Sequence, residues 1–171
     1  MRIKCIKILN NRPNRKDLGK KTEDLKVGKE YIVLCLYYGQ EGVLYFQFEG
    51  DSGGLFIFEA DQFEVLSNYV PSNWEITTKC DPDGRYYLKL SPQSWNSYVN
   101  SYKGFDMSFY EEITEVTWPL KEWRGDHNMP DVVKLFFREK DRIHREEKEY
   151  RLKHGGGKIA DPKPSISKRD K

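Results

Sequence analysis

The stretch from Leu25 to Leu66, LKVGKEYIVLCLYYGQEGVLYFQFEGDSGGLFIFEADQFEVL, constrains this chain more than any other. Three apolar, aromatic-rich runs are separated by glycine turns, and a fourth short run closes the set. Such residues fit a pleated surface, and glycines at these intervals fit the hairpins that join neighbouring strands. Between Glu30 and Thr78 there is no Lys or Arg, yet Glu41, Glu49, Asp51, Glu59, Asp61, Glu64 and Glu75 all lie there. A compact β unit with only negative charge reads as a binding surface before an active site.

The exclusion of positive charge is local. Residues 1–30 hold ten Lys/Arg against four Asp/Glu, residues 31–130 six against fifteen, and residues 131–171 thirteen against eight. A nucleic-acid binder puts positive charge on its folded face; this chain puts it on the flanks. Its 171 residues suffice for one domain, or one with a small companion, and for a core that needs no staples. The charged share, 33%, nearly equals the apolar share, 37%, so part of the chain is expected to stay unpacked. Cys5, Cys35 and Cys80 are odd in number, form no CxxC pair, and imply a reduced, cytoplasmic protein. No signal-peptide core and no apolar run long enough for a membrane span is expected.

In chain order, RIKCIKIL (2–9) alternates as a half-buried strand with basic residues outward. A polar, basic loop over 10–23 follows. Strands are expected at Ile32–Tyr38, Val43–Glu49, Leu55–Phe58 and Phe63–Leu66, with one helical turn over Glu59–Gln62. Strand, long loop, hairpin, hairpin, short turn, strand is the order of a five-stranded SH3-like small barrel.

Leu25-x-Val27-Gly28-x-x-Tyr31 entering a strand, the Tyr/Phe-rich hairpin, and Phe63-Glu64-Val65-Leu66 after one turn resemble the opening of small bacterial immunity proteins. Those proteins neutralise polymorphic and contact-dependent growth inhibition toxins. Tyr69-Val70-Pro71-Ser72-Asn73-Trp74 adds to the resemblance, which covers residues 1–76. It implies a cytosolic inhibitor whose partner is a cognate protein toxin.

Beyond residue 76, Glu75–Cys80 and Arg85–Leu90 flank Asp81-Pro82-Asp83-Gly84 as a hairpin. Ser91 and Pro92 read as the N-cap and first position of a helix carrying Trp95, Tyr98, Val99 and Tyr102 as an apolar stripe. Phe105–Val116 has helical spacing, with a turn into strand open near its end. The clearest helix is 131–154, ended by Gly155-Gly156-Gly157, with its first half expected to dock and its second to project into solvent. The tail 155–171 reads as disordered. The expected class is therefore α+β: an SH3-like barrel at 1–70, an αβ part at 71–154 and the tail.

Candidate chemistry is thin. His127, His144 and His154 lack nucleophile partners, Asp51-Ser52-Gly53 reads as a hairpin and not a nucleophile elbow, and no phosphate loop or metal-ligand spacing occurs. No catalytic residue, metal or cofactor is expected. The alternative is a small-barrel nucleic-acid-binding or regulatory module carried mainly by the basic flanks; it is disfavoured because stacking on the tyrosines would oppose the local carboxylates, and most of those rings read as core. The expected partner surface is Glu41, Glu49, Asp51, Asp61 and Glu64, with Trp74 or Trp123 as an aromatic anchor. Fixed carboxylates attract a basic partner such as a nuclease toxin and speed its docking.

Overall fold

The computed structural model describes residues 1–9, 18, 19, 21–39, 41–80, 84, 86–102, 105–116 and 120–154. The expected tail at 155–171, most of the basic loop over 10–23, and the Asp81-Pro82-Asp83 turn lie outside them.

Among the described residues the chain is α+β, with antiparallel sheets of three and five strands, a two-stranded ribbon and a long C-terminal helix. The smaller sheet has the order β2-β1-β6, from β1 (Arg2–Cys5), β2 (Glu30–Ile32) and β6 (Phe63–Ser67). The larger has the order β5-β4-β3-β8-β7, from β3 (Cys35–Gly39), β4 (Leu44–Glu49), β5 (Leu55–Glu59), β7 (Trp74–Cys80) and β8 (Tyr86–Pro92). Strands from both sides of residue 70 thus share one sheet. A 3₁₀ turn at Ala60–Gln62 delivers the chain into β6.

One nearly continuous stretch serves both sheets. The Val33 amide bonds to the Met1 carbonyl (3.1 Å), on the side of the smaller sheet, and the Leu34 amide to the Gln47 carbonyl of β4 (2.8 Å). Between these two residues the chain passes from β2 to β3, which is why the expected single strand over 32–38 is two. The first strand ends at Cys5, short of the expected Leu9. Two glycines shape the hairpins: Gly42 turns β3 into β4 at φ +76°, and a Cβ on Gly50 would come within 2.7 Å of the Phe56 ring.

The hydrophobic core is continuous. Between the sheets lie Ile3, Cys5, Tyr31, Phe46, Phe48 and Phe63, with Phe48 at 4.7 Å from Tyr31 and 5.4 Å from Phe63, ring centre to ring centre. Under the helices lie Trp95, Phe109, Ile113, Leu120, Val132, Val133, Phe136 and Ile143. Trp95 stacks on Phe109 at 4.4 Å and 10°, and on Phe136 at 6.1 Å.

The expected helix over 91–102 is overturned. Only α1 (Gln93–Asn96) is helical, its N-cap is Pro92, and Ser91 belongs to β8. Asn96 and Ser97 favour turns over helix interior, and the chain leaves to form β9 (Val99–Tyr102), paired with β10 (Phe105–Ser108). The helix expected from Phe105 begins only at Phe109, as α2 (Phe109–Glu115). Ser108 and Glu111 form a reciprocal capping box that fixes this start.

The helix α3 (Asp131–His154) has the expected bounds. Its second half does not project. Ile143 and Glu147 are buried, Tyr150 packs on Tyr69 at 5.0 Å, and the Tyr69 hydroxyl donates to Glu146 (2.6 Å). Burial, then that carboxylate, push the Tyr69 phenol up to about 12. Glu139, also buried, accepts from Asn73 (3.2 Å) and Ser94 (2.7 Å) and pairs with Arg142 (2.9 Å). Ile143 and Tyr150 carry the apolar line of Phe136 into this half, and the carboxylates of Glu139, Glu146 and Glu147 add contacts that hydrophobic spacing could not show.

Candidate functional site

Residues along a strand alternate between faces, and residues paired across strands share one. The larger sheet therefore divides into two rows of neighbours. On one face run Glu59, Tyr45, Tyr37, Lys89 and Thr77, with Ile57, Gln47 and Cys35 beside them and Ser91 paired with Glu75. On the other run Phe58, Phe46, Leu36, Leu90 and Ile76, then Leu44, Tyr38, Leu88 and Thr78.

The helices cover the first face, and its polar residues go inward. Lys89 is 3% exposed, with its ammonium 3.4 Å from the centre of the Tyr110 ring of α2. Cys35, Gln47 and Ser91 are buried around it. The Tyr37 hydroxyl donates to Gln47 (3.3 Å), and Ser91 donates to Asn96, whose amide in turn reaches Glu75. Burial pushes the Cys35 thiol up to about 11 despite the nearby Lys89 charge, so it is not a poised nucleophile. Tyr37 and Tyr110 are pushed well above the usual phenol value, again chiefly by burial. Cys35 and the Tyr37 ring were expected in the core, but Lys89, Gln47, Ser91 and Tyr110 were not singled out from sequence, since alternation gives a residue's parity and not what covers it.

Among the described residues, the second face is covered at one end, where Phe46, Phe48 and Phe58 meet Phe63 of the smaller sheet. Its other end is open. Leu44, Tyr38 and Leu88 lie side by side across three strands and are all exposed; Ile76 is 71% exposed and Tyr86 56%. Exposed apolar residues grouped in this way, unlike scattered ones, mark a contact surface.

The acids expected to form the partner surface are differently placed. Glu49 pairs with Lys140 of α3, half-buried. Asp51 accepts from Lys29 (2.6 Å) and from the Tyr31 hydroxyl (3.0 Å), tying the 25–29 loop to the β4–β5 turn. Burial is the main cause that pushes the Tyr31 phenol far above its usual value, with the bond to Asp51 adding to it. Asp61 pairs with Lys7 (3.0 Å), and Glu64 stands opposite Lys4 in the β1–β6 register. Glu41 accepts from Tyr45 (3.0 Å) at the β3–β4 turn, beside Gly39. The cations absent from residues 31–77 return in space from β1, the 25–29 loop and α3. Of the two tryptophans, Trp74 is buried at the start of β7 and Trp123 is half-buried against the core. The structure does not bring the seven residues together on one face.

Cys5 and Cys35 are buried and Cys80 is exposed. Among the described residues no three His, Cys, Asp or Glu side chains converge as a metal set, and no helix is long and apolar enough to cross a membrane. No protein-family model, curated protein or solved structure matches this chain.

Proposed function

We propose that this protein works by binding another protein, and that it is a cytoplasmic immunity protein which neutralises a cognate toxin. The observation that carries the reading is the open end of the larger sheet. Leu44, Tyr38 and Leu88, flanked by Ile76 and Tyr86, give a toxin an apolar platform on a rigid scaffold. Residues 1–70 contribute an SH3-like small barrel to that scaffold, and β7 and β8 complete the platform. That assignment is supported by the pairing of β1 with β6, the β3–β4–β5 meander, and the 3₁₀ turn just before β6. The internal pairing of Glu49, Asp51 and Asp61 moves the docking surface away from them and onto the apolar strip.

The test is growth rescue. The full chain is co-expressed with the toxin-type reading frame beside its gene in the native genome. The wild type restores growth and binds the purified toxin, whereas Tyr38→Arg and Leu88→Glu remain folded and fail in both assays. No protection by the wild type sinks the immunity reading. Protection undiminished in both variants sinks the surface.

A further inference from the structure

The helix α3 carries eight Lys/Arg and six Asp/Glu, so its sequence looks nearly balanced. Folding separates the two signs. Glu139 and Glu147 are buried and Glu146 is half-buried, engaged by Asn73, Ser94, Arg142, Tyr69 and Arg151. Asp141 is held by two bonds from Arg124, and Asp131 pairs with Lys134 (2.8 Å). Glu149 is the remaining carboxylate of the helix, and it is exposed.

Several cations are left outward. Arg138, Arg145, Lys148 and Lys153 are exposed, and among the described residues Arg145, Lys148 and Lys153 enter no ion pair. Steps of seven and three set Arg138, Arg145 and Lys148 on one side of α3, away from the buried Phe136 and Ile143. They form a ridge about 15 Å long. Lys148 has Arg145 and Arg151 three residues away, and His144 and Leu152 four away. No carboxylate of the helix therefore stands where it could pair with Lys148, and like charges at this spacing destabilise a helix. An anion laid along the ridge relieves that repulsion. The sequence after α3 continues the excess, with Lys158, Lys163, Lys168, Arg169 and Lys171 against Asp161 and Asp170.

We infer that this ridge lies along the phosphate backbone of a nucleic acid and binds it without reading its sequence. A nucleic-acid strand presents a charge about every 3.4 Å, dense enough to meet each of these cations. A helix lying on a membrane shows a broad apolar face to the lipid. The apolar residues of α3 face the core instead, and Leu152 is its one exposed aliphatic side chain. The ridge is on α3 and the toxin platform on the open face of the larger sheet, so the two readings stand or fall separately.

Fluorescence anisotropy of the full chain with a labelled single-stranded RNA, titrated over a series of salt concentrations, tests it. The wild type is expected to bind with an affinity that falls linearly in log–log form as salt rises. Arg145→Gln with Lys148→Gln removes two phosphate contacts, which should weaken low-salt binding roughly ten- to hundredfold and make the salt slope shallower by about 1.4. Lys21→Gln with Lys26→Gln makes the same change in net charge at two other exposed positions and should leave binding nearly unchanged. Both pairs are solvent-exposed, and circular dichroism checks that each variant is folded. Four results would each overturn the inference. They are a wild type that does not bind, an α3 variant that binds like wild type, two variants weakened alike, and tighter binding to polyglutamate or phosphatidylserine vesicles than to RNA.

Discussion

The two faces of the five-stranded sheet invert the ordinary arrangement. The face beneath the helices buries a lysine, a glutamine, a serine and a thiol, whereas the open end of the other face shows leucines, an isoleucine and tyrosines to solvent. A buried polar group is costly unless partnered, so the covered face must be held by specific contacts such as the Lys89–Tyr110 stack and the Ser91–Asn96–Glu75 chain. An exposed apolar group needs no partner to fold, so the open face is free to be shaped by something else. Stability should reside on one side and recognition on the other.

Four substitutions probe this division, from the largest effect downward. Phe136→Ala removes a fully buried ring of α3 that packs on Trp95 over the covered face, and should cost about 3–5 kcal/mol in urea unfolding. A cost below 1 kcal/mol would mean that the helices contribute little. Tyr110→Ala strips the ring from above Lys89 and should cost roughly 2–4 kcal/mol. Tyr110→Phe keeps that ring and removes only a buried hydroxyl, so it should cost less than Tyr110→Ala, about 1 kcal/mol. If the two variants are equally damaging, the hydroxyl and not the ring holds α2.

On the open face, Leu88→Glu should alter stability by no more than about 0.5 kcal/mol, because its side chain is already solvated. A cooperative unfolding midpoint far below wild type would show that this face is covered after all. The smallest effect belongs to the outer rim. Arg124 donates two hydrogen bonds to Asp141 (3.0 and 2.9 Å), and both side chains are more than half exposed. These bonds hold the Asp141 carboxyl below its usual range. The folded state therefore releases this proton more readily than the unfolded chain. The contribution is present above the ordinary carboxylate value and fades as pH falls through the lower folded value. Arg124→Ala should cost at most roughly 0.5 kcal/mol near neutral pH, with the difference vanishing in strong acid in urea titrations across that range.

Legibility from sequence followed the range of the forces involved. The strands between Tyr31 and Ser67 and the bounds of α3 were readable because alternation, hairpin glycines and helical periodicity are local. The stripe from Trp95 to Tyr102 misled, since the spacing of Trp95, Tyr98 and Tyr102 also suits a short turn followed by a strand. The acidic stretch misled in another way. Its isolation is real along the chain, but Lys7, Lys29 and Lys140 reach Asp61, Asp51 and Glu49 only after folding. The docking of Glu139 and Glu147 was invisible because a helix face lined by carboxylates looks solvated until its partners are known.

The Arg2 guanidinium lies 3.7 Å from the buried Glu147 carboxylate, while its strand pairs with Phe63–Ser67. During synthesis β1 can pair early with β2, but it emerges well before β6 and long before α3, so its other edge waits unpaired. The smaller sheet can close once β6 is out, with Arg2 already paired to Glu30 of β2 (3.0 Å), but the buried Glu147 carboxylate joins it only when the last turns of α3 leave the ribosome. Non-local closure of this kind slows folding. It makes the C-terminal helix the latch on the N-terminal strand, so a nascent chain stalled before residue 147 should hold the smaller sheet loosely and be the species most exposed to proteases.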